Sequence, residues 1–82
     1  MQVSLHITLA GIDKNHRIGE VEVPEASTVM QTVKKYVEEN KIKLDIDYMP
    51  GVMALVNKTP VRFNNVVNNG DAITLIRYMG GG

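Results

Sequence analysis

Thr28-Val29-Met30-Gln31-Thr32-Val33-Lys34-Lys35-Tyr36-Val37 decides the fold, because it reads as a helix set between strands. Thr28 precedes Gln31 by three residues, the spacing of a capping box over the first backbone N–H groups. Val29, Met30, Val33, Tyr36 and Val37 recur at intervals of three and four, which makes one apolar stripe that a core would cover. On the outer face Lys34–Glu38 and Lys35–Glu39 stand four apart in the less favourable order and add little. Asn40 is placed to stop the helix in a left-handed conformation.

Upstream, residues 2–9 alternate strictly, with Val3, Leu5, Ile7 and Leu9 against Gln2, Ser4, His6 and Thr8. A period of two sends those sets to opposite faces of a half-buried strand. Gly11, Asp13 and Asn15 mark a turn, and residues 17–23 read as the returning strand of an antiparallel hairpin. Ile18 is out of phase with Val21 and Val23, and the intervening Gly19 suggests a bulge. Pro24 ends that strand.

Downstream of the helix, residues 41–47 mix charges with Ile42, Leu44 and Ile46, and suit either a short strand or an ordered loop. Residues 52–57 form a third strand, residues 57–60 a turn, and residues 61–63 a brief return. A polar connection surrounds Val66 and Val67, and residues 72–78 close the pattern as a last strand. A hairpin, one helix and further strands imply an α+β domain with the helix on one face of a mixed sheet of four to five strands. The first and last strands can then lie side by side.

Eighty-two residues hold one small domain, too small to enclose a roomy catalytic cleft as well. Cysteine is absent, which excludes disulfides, iron–sulfur clusters, thiolate zinc sites and a cysteine nucleophile. Nine basic residues cancel nine acidic ones, and with one Phe and three Tyr neither the counterion release nor the stacking of a nucleic-acid binder is provided for. No apolar run is long enough for a membrane span, and residues 1–9 lack the pattern of a signal peptide, so a cytoplasmic protein is expected. His6 and His16 lack metal-ligand spacing and read as a strand-surface and a loop residue. Asp45/Asp47 and Glu38/Glu39 read as solvated surface, and no phosphate-binding loop follows Gly11 or Gly19.

Four short stretches carry a resemblance: Ser27-Thr28-Val29 opening the helix, Val52-Met53-Ala54-Leu55-Val56-Asn57, Asn69-Gly70-Asp71-Ala72-Ile73, and the ending Gly80-Gly81-Gly82. Taken in order they resemble the ubiquitin-like β-grasp sulfur carriers, the ThiS/MoaD-like family. That family includes the thiamine-biosynthesis sulfur carrier and the small subunit of molybdopterin synthase. Lys58 stands where the family often has Gly, and Asn69 replaces the usual Asp. Absence of proline before the glycines makes the ending closer to the thiamine-type carriers.

The resemblance implies a β-grasp domain over residues 1–78 and an extended, flexible tail over residues 79–82. It implies a protein carrier, not an enzyme, with no cofactor of its own. A partner of the ubiquitin-activating adenylyltransferase type uses ATP and Mg²⁺ to adenylate the carboxylate of Gly82. A desulfurase or rhodanese-type donor then supplies sulfur, leaving a thiocarboxylate. Thiazole synthase or the large subunit of molybdopterin synthase receives it. Gly80 and Gly81 give the tail reach and clearance. Two other readings remain open: a ubiquitin-like modifier conjugated through Gly82, and a plain β-grasp interaction domain.

Strand periodicity adds a candidate docking surface. If Ile73 and Leu75 face the helix, then Thr74, Ile76 and Tyr78 face away. If Val52, Ala54 and Val56 point inward, Met53 and Leu55 join Ile76 and Tyr78 in an exposed apolar patch beside the tail. In the opposite phase, Met53 and Leu55 would be core.

Overall fold

The computed structural model describes residues 1–45, 47 and 51–77. Among these residues stand five strands and one α-helix: β1 (Gln2–Ile7), β2 (Ile18–Glu22), α1 (Val29–Glu39), β3 (Val52–Val56), β4 (Thr59–Val61) and β5 (Ala72–Arg77). A single 3-10 turn, Lys14–His16, interrupts the β1–β2 connection. The sheet order is β2-β1-β5-β3-β4, with β1 and β5 parallel and every other pair antiparallel. The first and last strands are therefore central neighbours, the arrangement the α+β reading allows. No described helix is long and apolar enough to cross a membrane.

Helix α1 starts where the sequence places it. Thr28 Oγ1 accepts from the Gln31 N–H at 3.1 Å, and Gln31 Oε1 accepts from the Thr28 N–H at 2.9 Å. The Val29 and Met30 N–H groups donate to the carbonyls of Asn65 and Phe63, both at 2.9 Å. The polar connection before β5 thus closes the helix N-terminus, and Val67 is buried beneath it. With its first N–H groups all engaged, this helix start offers nothing to an anion.

The helix ends one residue later than expected in its left-handed turn. Asn40 is the C-cap at φ −100°, and its N–H and Nδ2 both donate to the Tyr36 carbonyl. Lys41 takes the positive φ of 53°. Lys41 N–H then donates to Glu38 and Ile42 N–H to Val37, the paired bonds of a Schellman motif, with Ile42 packed against the core. Residues 41–45 form neither helix nor strand, and Leu44 also leans on the core.

Val3, Leu5 and Ile7 from β1, Ile73 and Leu75 from β5, Ala54 from β3, and Val29, Val33, Tyr36 and Val37 from α1 share one buried cluster. Each large apolar side chain removed from water there contributes about 1.5–3 kcal/mol before the entropy of ordering is counted. Thr32, fully buried among them, is satisfied by donating from Oγ1 to the Thr28 carbonyl at 2.8 Å.

The expected bulge at Gly19 does not form. The β1–β2 register runs unbroken from Gln2↔Glu22 to His6↔Ile18, so Gly19 faces inward with Val21 and Ile18 outward with Glu20. The glycine serves close packing instead. A Cβ at position 19 would lie 2.5 Å from the Tyr36 hydroxyl oxygen and 2.9 Å from its ring. That hydroxyl donates to the His16 carbonyl at 2.8 Å, tying the helix to the β1–β2 connection. Burial pushes the Tyr36 phenol above the ordinary tyrosine pKa.

The β3–β4 connection is also tighter than expected. Only Asn57 and Lys58 turn, with φ of 50° and 72°, the paired positive values of a type I′ hairpin. Strand β4 accordingly starts at Thr59, and Pro60 sits inside it opposite Leu55. Proline is admissible there because β4 is an edge.

Candidate functional site

Strand β5 leads to the glycines singled out in the sequence, and both its ends are fixed. At its start, Asn57 Oδ1 accepts from the Ala72 N–H at 3.0 Å while Asn57 N–H donates to the Ala72 carbonyl at 2.9 Å. Asn57 Nδ2 also donates to Asp71 Oδ1 at 2.9 Å, and Asp71 Oδ2 accepts from the Asn68 N–H at 2.7 Å. Between them Gly70, at φ 85°, occupies the third position of a turn closed by the Asp71 N–H on the Asn68 carbonyl. Asn69 Oδ1 accepts from the Gln2 N–H at 2.8 Å, a bond that an aspartate oxygen could equally accept. Near its finish, the Leu75 carbonyl accepts from both Thr8 N–H and Thr8 Oγ1. The sequence showed two separate turn motifs; the structure joins them into one polar knot that aims the central strand.

Ala54 sets the phase of β3. It is buried opposite Leu75, which puts Met53 and Leu55 on the face away from α1. Met53 stands opposite Ile76, and Leu55 opposite Thr74. All three apolar side chains are half-buried and take no part in the core cluster, whereas Val52 and Val56 pack against it. The structure thus brings Met53, Leu55 and Ile76 together on the outer face. Tyr78, the fourth member of the expected patch, lies outside the described residues, as do Gly80, Gly81, Gly82 and the expected tail segment 79–82.

The same outer face extends further than the sequence indicated. One row crosses all five strands: Ile18, His6, Thr74, Leu55 and Pro60. Ile18, 72% exposed, was missed because Gly19 was read as a bulge. Counting Ile18 in phase with Glu20 and Glu22 would have found it.

Nothing described forms a metal centre or an acid–base pair. Among the described residues no group of three His, Cys, Asp or Glu could hold a metal ion. His6 is exposed, and His16 Nδ1 lies 3.4 Å from Asp13 Oδ2 at the surface. What the described residues offer is a rigid sheet, an apolar outer face, and a central strand directed to the end of the chain.

Comparisons with known proteins agree on the architecture. The chain is similar in structure to SAMP1 from Haloferax volcanii, at 15% identity and a TM-score of 0.68 with each chain covered in full. A Pyrococcus furiosus protein assigned as molybdopterin converting factor subunit 1 gives 18% identity and a TM-score of 0.67, covering 96% of this chain and 99% of that one. The ubiquitin of Caldiarchaeum subterraneum gives 21% and 0.60, covering 100% and 98%. Identities this low establish a ubiquitin-like β-grasp fold and no more. No curated protein matches in sequence. The ThiS family model, however, matches residues 13–82, and the chain belongs to that family of ubiquitin-like sulfur carriers and modifiers.

Proposed function

We propose that this protein is a sulfur carrier loaded at the carboxylate of Gly82. The observation that carries the reading is the reach of the family match, which runs through β5 and includes Gly80, Gly81 and Gly82. An activating enzyme of the ubiquitin-activating type, using ATP and Mg²⁺, adenylates Gly82 and releases pyrophosphate. A persulfide from a desulfurase or rhodanese-type donor attacks the acyl carbon and expels AMP, forming an acyl disulfide. A thiol then cleaves the S–S bond, leaving the thiocarboxylate and an oxidised disulfide. The Gly82 carboxylate is the nucleophile that attacks the α-phosphate of ATP; no side chain of this protein is needed as acid, base or nucleophile before sulfur is loaded.

In this scheme Met53, Leu55, Ile76 and Tyr78 are where the activating enzyme grips the domain. Glycines at 80 and 81 let the tail pass a narrow channel, since no side chain has to be accommodated. The favoured recipient is a thiazole synthase of thiamine biosynthesis, supported by the family match and by the lack of proline before the glycines. The large subunit of molybdopterin synthase is the competing recipient.

Intact mass tests the chemistry. Incubation with ATP, Mg²⁺, a cognate activating enzyme and a sulfur donor should add about 16 Da, sulfur for oxygen, localised to Gly82 by fragmentation. An unchanged mass, or a change elsewhere, overturns the carrier reading. A modifier would share the adenylate but pass Gly82 to a lysine amine, and a ladder of adducts on a denaturing gel would reveal it.

A further inference from the structure

The two edges of the sheet are treated differently. Edge strand β4 has three residues and carries Pro60, which has no N–H to offer a further strand. Edge strand β2 has five residues and no proline. Its polar groups can be assigned from the ladder. Met1 and Val23 exchange both N–H···O bonds, at 2.8 and 2.9 Å, and the Ile7 N–H donates to the Arg17 carbonyl at 2.7 Å. Hydrogen-bonded pairs alternate along an antiparallel ladder, so residues 17, 19, 21 and 23 turn their backbone groups toward β1. The N–H and C=O groups of Ile18, Glu20 and Glu22 therefore point off the sheet.

Those same three residues set the side-chain character of the edge. All are exposed, all face outward, and they read apolar, acidic, acidic along the strand; Glu20 Oε2 also accepts from the neutral Gln2 Nε2, a contact that leaves its charge unneutralised. Glu25 adds a further exposed carboxylate beyond Pro24. The nearest cation in sequence, Arg17, is directed elsewhere, with Nε donating to the Ile12 carbonyl at 3.1 Å. Beyond the end of β2, Val23, Pro24, Glu25, Ser27, Gln31 and Lys35 line a groove of about 410 Å³ against α1, where Glu25 and Lys35 offset each other in charge. A strand laid along β2 and continued past Glu22 would reach this groove with the inward side chains of that end.

We propose that the β2 edge is a docking site for an extended segment of another protein in which basic residues alternate with small apolar ones. Main-chain bonds to Ile18, Glu20 and Glu22 would hold the segment, with its cations facing Glu20 and Glu22 and its apolar residues turned toward the α1 side. A second copy of this chain is excluded by charge, because pairing β2 with β2 would set glutamates against glutamates. This surface is distinct from the outer-face patch near β5 and independent of the chemistry at Gly82.

An acetylated peptide of alternating lysine and valine is the probe, with amide hydrogen exchange of the whole protein as the readout. At saturation the Ile18, Glu20 and Glu22 amides should exchange at least about tenfold more slowly. The double variant Glu20→Lys, Glu22→Lys should abolish this protection. Glu20→Pro deletes an N–H that makes no ladder bond, so it should leave the fold intact and remove the docking donor. Thermal melts identify whichever variant remains folded, and that variant is read. Binding without protection at these three amides, or equal binding of an alternating glutamate–valine peptide, overturns the proposal. Protection that grows with protein concentration in the absence of peptide overturns it in favour of self-pairing.

Discussion

Strands β3 and β5 have two faces built from the same kinds of residue and put to different uses. On the inner face Ala54, Ile73 and Leu75 are at most 1% exposed and meet α1. On the outer face Met53, Leu55 and Ile76 keep partial exposure, Met53 opposite Ile76 and Leu55 opposite Thr74, and none of them belongs to the core cluster. Hydropathy alone does not separate these sets; phase along the strand does. Inner residues are expected to govern stability and outer ones binding, so substitutions one position apart should give unlike results.

The widest separation is expected between Leu75 and Ile76. Leu75→Ala leaves a cavity in a fully buried site and should cost about 2–5 kcal/mol, read as a lower urea midpoint at constant slope. Ile76→Ala should cost about 1 kcal/mol or less, because its side chain already meets solvent. Equal losses at the two positions would erase the distinction between the faces.

A second test sharpens the account of the inner face, where backbone and ring come close. Gly19→Ala forces Tyr36 off the His16 carbonyl and should destabilise by about 1–3 kcal/mol. The closest atom is the tyrosine hydroxyl oxygen, so the same change in a Tyr36→Phe background should cost less. Simple additivity of the two substitutions would mean that the hydroxyl is not what Gly19 accommodates.

Tyr36 also gives the inner face a pH signature. Its phenol has a raised pKa through burial, so the folded state holds the proton after the unfolded chain has lost it. The stability that follows is fully present below the unfolded value, about pH 10. It is lost as pH rises from there through the folded pKa. Tyr36→Phe should lose about 1 kcal/mol at neutral pH, from the unsatisfied His16 carbonyl, and should lack this alkaline component. Parallel stability curves for the two proteins from pH 8 to 11 would contradict the assignment.

The sequence made the regular parts legible. A strict period of two named β1, and the Thr28–Gln31 spacing named the helix start; for residues 52–57 alternation offered two phases, and the burial of Ala54 selects between them. The difficulties arose where one residue type serves two purposes. Gly19 could mark a bulge or a close approach, and only the position of Tyr36, seventeen residues on, distinguishes them. Lys58 at φ 72° is a conformation the local sequence does not advertise, so the β3–β4 turn looked longer than it is. The bond from Asn57 to Asp71 joins residues fourteen apart through side chains, which no periodicity encodes. Met53, Leu55 and Ile76 were legible as a set once the phase of the core was given, whereas Ile18 was not, because its phase depends on the absence of a bulge at Gly19.

The smallest effect on stability should come from the substitutions most damaging to binding. Leu55→Glu and Ile76→Glu place a carboxylate on the outer face, where water can still solvate it, so the melting temperature should shift little. At Leu55 the neighbours across the sheet are Thr74 and Pro60, and at Ile76 the partner is Met53; no acidic side chain stands directly opposite either position to repel the new charge. A complementary apolar surface on an activating enzyme would have to bury that charge unpaired, which costs several kcal/mol. Either variant should therefore bind the enzyme weakly and lose sulfur loading at Gly82 at the same enzyme concentration. Loading that recovers at high enzyme concentration would identify the defect as docking, leaving the reactivity of the terminus intact. Unimpaired loading by both variants would move the docking surface off this face, and unfolding of both would place Leu55 and Ile76 in the core after all.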